Sequence, residues 1–396
     1  MKEITQNTSK RLLSLDAFRG FTIMGMIIVN TPGSWDFVYP PLRHAEWNGL
    51  TPTDLVFPFF LFIVGVSVVL AYHKRLLSDA PKGKLVTKII KRSVLIFLLG
   101  ILLNLIGSNF QELRLPGVLQ RIAIVFLICS LLFLFTSLKT QIWTGIVLLT
   151  GYYVSMKLLW APDGGLLLPG ENLANWIDSQ LIPFTMYQET WDPEGVLSTL
   201  PSIATGITGM LAGHLMISDK KIENKVILLF VGGFFALLAG EIWSWTFPIN
   251  KNLWSSSYVL YTSGLASITW AVLIWMMDIK KYLRWGKMGT IFGSNAITAY
   301  VLSYLLLIPF TAFAISNGEN LQELFMNGLI NAGGQPELVS LAWAILFTLL
   351  CYVPVWALYR KKDIFKNLVL IHPTKTFIMI SDGINRIICL LKIRLK

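Results

Sequence analysis

Long, nearly uncharged apolar runs recur along this chain, and short polar segments separate them. Ten are close to the ~20 residues that a helix needs to cross a hydrocarbon core: 17–32, 53–72, 93–107, 117–136, 141–160, 197–217, 226–246, 257–277, 289–314 and 338–359. The second is the most distinct, because Asp54 begins it and LVFPFFLFIVGVSVVLAY follows without a charge. The first and third are short. The pattern predicts an all-α fold, a polytopic membrane helix bundle of about ten transmembrane helices.

The intervening segments add little regular structure. NLANWIDSQLI, inside the long segment 161–196, reads as a short amphipathic interfacial helix. Segment 320–331 reads as another, and together these loops are placed to roof a site. No repeat of 20–50 residues and no low-complexity stretch is present. A charged stretch leads into the first helix and no small-residue cleavage site follows it, so no signal peptide is expected. Residues 1–362 are expected to form a single transmembrane domain. The tail 363–396, ending in INRIICLLKIRLK, reads as a basic amphipathic helix or a disordered end.

Composition agrees. Hydrophobic residues make up 54% of the 396 and charged residues 14%, against about 25% charged in soluble domains. Three widely separated cysteines exclude a disulfide-stapled secreted domain. The net charge of +11 then needs a location. Of 33 Lys and Arg, 27 lie at the two ends of the chain and in segments 73–92, 137–140, 218–225 and 278–288. The alternate segments 31–52, 107–116, 161–196, 247–256 and 315–337 hold only Arg43, Arg114 and Lys251. Arg19, Arg121 and Lys157 fall inside candidate helices. This alternation is the positive-inside pattern. It predicts both termini in the cytoplasm and an even helix count, with the lipid bilayer rather than nucleic acid as the partner of the basic charge.

There is no P-loop, GxGxxG, HExxH, CxxC or GxSxG motif. The four histidines are too scattered for a metal site, so no metal is expected. His73 and His372 fall in basic segments, and His214 reads as a hydrogen-bonded structural residue. His44 differs. It lies in RHAEWNGLTPTDLVFP, ten residues before Asp54, while Asn30 closes the first helix. An ionisable residue at membrane depth is a functional candidate. Asp54 has a competing role as a helix cap, which Thr51 and Thr53 also contest. A carboxylate that accepts from one imidazole nitrogen fixes the tautomer and leaves the other nitrogen free as a base.

SLDAFRGFTIMGMIIVN followed by RHAEWNGLTPTDLVFPFFLFIVG resembles the heparan-alpha-glucosaminide N-acetyltransferase family of transmembrane acyltransferases. Further blocks agree in order: LPGVLQRIAI at 115–124, WDPEGVLSTLPSIATGITGMLAG at 191–213, INKNLWSSSYVLYTSG at 249–264 and GSNAITAYV at 293–301. The resemblance covers about residues 12–362 and is to the shorter, bacterial-type members. It implies transfer of acetyl from cytoplasmic acetyl-CoA to the amine of a glucosamine unit, alone or ending a glycan, on the far side. It also implies a catalytic role for His44, with Asn30 and Asp54 lining the same site. Asp54 would orient the histidine, and Asn30 would donate to the developing oxyanion. An acetyl-histidine intermediate is the competing mechanism. The family further suggests a homodimer.

Other polar residues have two readings each. Arg19, three residues after Asp16, is either an i,i+3 ion pair or a contact to CoA phosphate. Gln120 and Asn295 are further candidates for the CoA side, and Asn295 can alternatively bridge helices. Arg121 needs a partner inside the bundle, Glu112, Asp192 or Glu194, and is either structural or acceptor-binding. Asp192 and Glu194 in WDPEG either bind the amino sugar or build a turn. Trp254 either stacks on a sugar ring or belongs to the interfacial aromatic belt. Two other functions stay open at this point: a sugar transporter, disfavoured by the lack of repeats, and an O-acyltransferase acting on an envelope polysaccharide. The one N-x-S/T sequon, at Asn7, lies on the predicted cytoplasmic side, which favours a bacterial inner membrane.

Overall fold

A computed structural model describes residues 12–78, 80–159, 167–316 and 318–360; the tail from 363 lies outside them. The regular structure of the described chain is helical, apart from a minimal hairpin of β1 (Ala314–Ser316) and β2 (Glu319–Asn320). Its helices are α1 (Leu13–Asn30), α2 (Val56–Leu76), α3 (Lys82–Gly107), α4 (Val118–Phe135), α5 (Leu138–Val154), α6 (Leu173–Leu181) and α7 (Thr199–Ile217). They continue as α8 (Ile222–Ser244), α9 (Ser256–Leu273), α10 (Leu283–Ser294), α11 (Ala296–Thr311), α12 (Leu321–Asn331) and α13 (Pro336–Arg360). A 3-10 turn, Pro52–Leu55, leads into α2, and π turns extend α5 to Leu159 and α9 to Ile279.

Among the described residues, eight helices are long and apolar enough to cross a membrane: α1, α2, α3, α4, α7, α8, α9 with its π turn, and α13. The 17-residue α5, with its π turn, fills the fifth predicted stretch. The ninth stretch differs from expectation. It is split into α10 and α11, which meet at 78°. The break falls at Ser294–Asn295, after a helix carrying Gly286, Gly289 and Gly293. Glycine is a poor helix former, and here it serves packing: a Cβ on Gly293 would overlap the Asp16 carbonyl of α1. The two interfacial helices expected from sequence are α6 and α12. Each is capped by an asparagine: Asn172 accepts from Asn175 N–H at 3.1 Å, and Asn320 accepts from Glu323 N–H at 2.9 Å.

The core is built around α2. Gly65 and Gly209 let α2 and α7 touch backbone to backbone, a device suited to lipid, where close packing replaces the hydrophobic drive between helices. Helices α4 and α9 complete this core, which includes Leu61, Val69, Val125, Met210 and Tyr258. By contrast, α8 turns Phe230, Phe234, Phe235 and Leu238 outward. So large an apolar face belongs against lipid. The chain is therefore a multi-pass membrane bundle.

Candidate active site

The site begins at the turn that starts α2. Thr51, Pro52, Thr53 and Asp54 form its first turn, where a proline fits because its missing N–H has no helical partner anyway. The Asp54 side chain is 1% exposed and divides its oxygens between two tasks. Oδ2 accepts from the N–H groups of Ala45 (3.1 Å) and Thr51 (3.0 Å). Oδ1 lies 2.6 Å from Nδ1 of His44. The cap reading and the functional reading of Asp54 are thus both realised in one carboxylate. Because the carboxylate only accepts, Nδ1 carries the proton, and the Nε2 lone pair of neutral His44 is free. The imidazole is 48% exposed, so the base is accessible while its orienting group is buried.

Sequence-distant bonds hold this loop in place. Tyr258 of α9 donates to the Asp54 carbonyl at 2.6 Å. Asn250 donates to Asn48 Oδ1 at 3.1 Å, and Gly49 N–H donates to the Ile249 carbonyl at 2.8 Å. Trp47 Nε1 donates to the Leu167 carbonyl at 2.8 Å, and its ring packs edge-on against Trp191. Segments 44–51, 167–196 and 247–255 therefore close over one end of the bundle.

Beneath them lies a cavity, open at its mouth, between α1, α2, α4 and α11. His44, Asn30, Glu194 and Lys251 line it, along with Thr53 and Tyr300. Its remaining walls are mainly apolar, with Ile23, Met26, Val29, Phe57, Phe60 and Leu119 among them. Along α1 the lining runs from Asn30 down to Thr22, a rise of about 12 Å at 1.5 Å per residue.

Lys251, in sequence only one of the few basic residues of the sparsely charged segments, also stands at this site. Its Nζ is 3.3 Å from both ring nitrogens of His44. A point equidistant from both and in the ring plane would overlap Cε1, so the amine sits over the imidazole face. Burial lowers the Lys251 pKa and Arg121 pushes the same way, while Glu194 and Asp54 oppose the shift.

The acidic turn is organised by an arginine that sequence did not single out. Arg114 forms a two-pronged pair with Asp192, Nε to Oδ2 and Nη2 to Oδ1, both at 2.7 Å. Nη2 also reaches Glu194 Oε2 at 2.7 Å. Burial disfavours the Arg114 charge, but the two carboxylates outweigh it and raise its pKa. Asp192 also accepts from the N–H groups of Tyr187 and Glu194, so it builds the turn, while Glu194 reaches the cavity. Below the turn, Asp178 of α6 accepts from Val196 N–H at 2.7 Å. Burial pushes the Asp178 carboxyl up to about 7, and the neighbouring Asp192 adds to this.

The other expected site residues lie elsewhere. Arg121 is 1% exposed and, contrary to expectation, takes none of Glu112, Asp192 or Glu194 as a direct partner. It donates to the Gly195 carbonyl and Ser198 Oγ and lies over the Trp254 ring, 5.1 Å from its centroid. Arg114, closer to the turn, has taken the carboxylates. Trp254 is likewise 1% exposed, packed edge-on against Phe57 and Tyr258 and bonded to Thr205 Oγ1, which leaves no ring face for a sugar. Gln120 is buried against Gly100 and Gly117 at the α3–α4 crossing, off the cavity wall. Asn295 sits at the α10–α11 break, beside the lining residues Ala296 and Ile297. Arg19 donates to Ser67 Oγ at 2.7 Å and the Gly293 carbonyl at 3.2 Å, and its ion pair with Asp16 is present at 3.4 Å. His214 is bonded to Gln141 at 2.9 Å, in keeping with a structural role. Among the described residues no cluster of metal-ligating side chains occurs.

Residues 11–241 match the family described as heparan-alpha-glucosaminide N-acetyltransferase, catalytic. The chain is 29% identical to the human heparan-alpha-glucosaminide N-acetyltransferase over 90% of its own length and 60% of that protein. It is 28% identical to the mouse protein of the same name, over 92% of the chain and 62% of the relative. The chain thus spans about three fifths of the length of these curated relatives.

Proposed function

The chain belongs to the heparan-alpha-glucosaminide N-acetyltransferase family, and on that premise we propose that it moves acetyl from acetyl-CoA to the amine of glucosamine, free or ending a glycan. The observation that carries this reading is the 2.6 Å contact between His44 Nδ1 and Asp54 Oδ1 at the mouth of the cavity.

The cavity suits such a co-substrate. Its apolar walls fit the pantetheine arm, and its polar groups, Thr22 apart, lie toward the His44 end. Acetyl-CoA supplies the acetyl group as a thioester. His44 Nε2 takes a proton from the acceptor amine, so that an uncharged nitrogen attacks. Asp54 holds the ring in the tautomer that leaves Nε2 open and stabilises the imidazolium once it forms. Asn30, on the same wall, donates its carboxamide N–H to the acetyl oxygen. Glu194, held by Arg114, attracts the acceptor's ammonium group to the mouth before its proton is lost. Asp192 supports Glu194 through the turn, and Arg121 supports the turn from below. The packing of Arg19 around Gly293 and Ser67 favours a structural role for it over a phosphate contact.

The direction of transfer follows from charge. With the 27 basic residues on the cytoplasmic side, both termini are cytoplasmic, acetyl-CoA enters from there, and His44 faces the opposite compartment. The membrane proposed is a bacterial inner membrane. The test uses purified protein in detergent with labelled acetyl-CoA and glucosamine. His44→Ala is expected to lower acetylated sugar by about 100- to 10,000-fold, the range of a positioned base. Activity near wild type in folded His44→Ala protein overturns the assignment.

A further inference from the structure

Lys251 has no part in the mechanism above, yet among the described residues it is the only lysine lining the cavity. Its Nζ stands 3.3 Å from Nε2 of His44, the atom assigned to take the acceptor's proton. A lysine amine and the amine of glucosamine are the same kind of nucleophile, and here one is built into the wall. It lies over the ring rather than in line with the Nε2 lone pair. Rotation about the single bonds of its four-carbon stem is the movement that would bring it into line.

We propose that Lys251 is a self-acetylation site, modified by the acetyl thioester bound in the cavity whenever no acceptor amine is present. This rests on the acetyl-transfer reading and extends it. In the step, the Nζ–acetyl carbon bond forms as the carbon–sulfur bond breaks. CoA leaves as the thiolate, and the proton released by Nζ passes to His44 Nε2 and from there to the CoA sulfur, giving the thiol. No oxidant or further reactant is needed. Burial, which disfavours the ammonium form, raises the share of reactive neutral amine. The product is an uncharged amide beside Glu194 and His44. It removes a positive charge and adds bulk where the acceptor must enter, so the modified protein is inhibited. The acceptor, when present, competes for the same base and the same thioester, which protects Lys251 during turnover.

The experiment uses the purified full-length protein with isotopically labelled acetyl-CoA, with and without excess glucosamine, followed by mass spectrometry of its peptides. Acetylation at Lys251 should approach one group per chain without glucosamine. Lys84 and Lys88, exposed on α3, report the purely chemical background. Glucosamine should suppress the Lys251 signal, and His44→Ala should slow it by about 100-fold, the lower end of a base's contribution. The proposal is overturned if the protein acetylates glucosamine when it is supplied, yet Lys251 stays unlabelled in the sample without glucosamine. It is also overturned if Lys251 is labelled no faster than Lys84, or no slower in folded His44→Ala protein. Labelled Lys251 without acetylated glucosamine supports the site and counts against the acceptor assigned above. If neither amine is acetylated, the acetyl-transfer reading fails and this inference fails with it.

Discussion

His44 and Asp54 are joined Nδ1 to Oδ1 at 2.6 Å, and the second oxygen of the same carboxylate accepts from the N–H of Thr51, which caps the turn into the second helix, and from that of Ala45 beside His44. Orientation of the base and initiation of a membrane span therefore depend on one buried side chain. A thermal fluctuation that loosens the helix start also loosens the imidazole.

Replacing Asp54 with Asn separates the two tasks. Asparagine is a good residue at a helix N-terminus, so the fold should persist. Its amide can present an N–H to Nδ1, which moves the ring proton to Nε2 and removes the base. Turnover of Asp54→Asn should fall by about 1,000-fold or more, as expected for a wrong tautomer, with an unchanged elution volume. Turnover within about tenfold of wild type would show that tautomer control is not the role of Asp54.

Arg114 grips Asp192 through a planar fork that lysine cannot copy, and one prong of that fork also holds Glu194. In Arg114→Lys the charge stays but the two-pronged geometry is lost. The KM for glucosamine should rise by about tenfold, with a smaller change in kcat, since one charge-assisted contact corresponds to roughly 1.4 kcal/mol or more. A fall in kcat at unchanged KM would assign the turn a role in chemistry rather than in acceptor capture.

The docked loop 187–196 should respond to pH through Asp178. Its carboxyl is held at about 7 when docked, against 3.8 when open to water. As pH rises between these values the open form ionises first. The docking stability contributed by this group is complete below about 4 and is lost as pH rises through about 7. Hydrogen exchange of segment 187–196, corrected for intrinsic rates, should report this loss in the wild type. Asp178→Asn, which does not titrate, should flatten the profile; an equally steep profile in that variant would remove Asp178 as its source.

Orientation in the membrane can be checked with single cysteines in a background lacking the native three. Cysteine at Lys84 and at Glu189 should react with an impermeant maleimide from opposite sides of sealed inverted vesicles, the first from the cytoplasmic face. Labelling of both from one side would contradict the topology.

The spans were legible because lipid demands long apolar runs, and the α2 run from Leu55 is nearly free of competing signals. The 294–295 break was not legible, since the apolar run of α11 masks it. The spacing of Gly286, Gly289 and Gly293 was the available hint. The His44–Asp54 pair could be proposed from ten residues of sequence. The identity of Arg121's partners could not, because Arg114 and Arg121 are equivalent until the turn at 191–195 is positioned in space. Lys251 was hidden because in sequence it is one of only three basic residues scattered through the sparsely charged alternate segments. Trp254 shows the same difficulty in reverse: a tryptophan near a membrane boundary fits a belt, a sugar platform or a core, and only Phe57, Tyr258 and Arg121 around it decide.

The bond from Arg19 to the Gly293 carbonyl has a consequence for how sequences of this kind can change. Where α10 stops, its last carbonyls lose their helical donors, and in lipid nothing else replaces them. Arg19 caps one of them, and a cation there also complements the negative end of the helix. Removing the arginine alone strands a carbonyl, and straightening the helix alone takes one partner from a charge. The two features form a lock and should persist or vanish together from one descendant to the next.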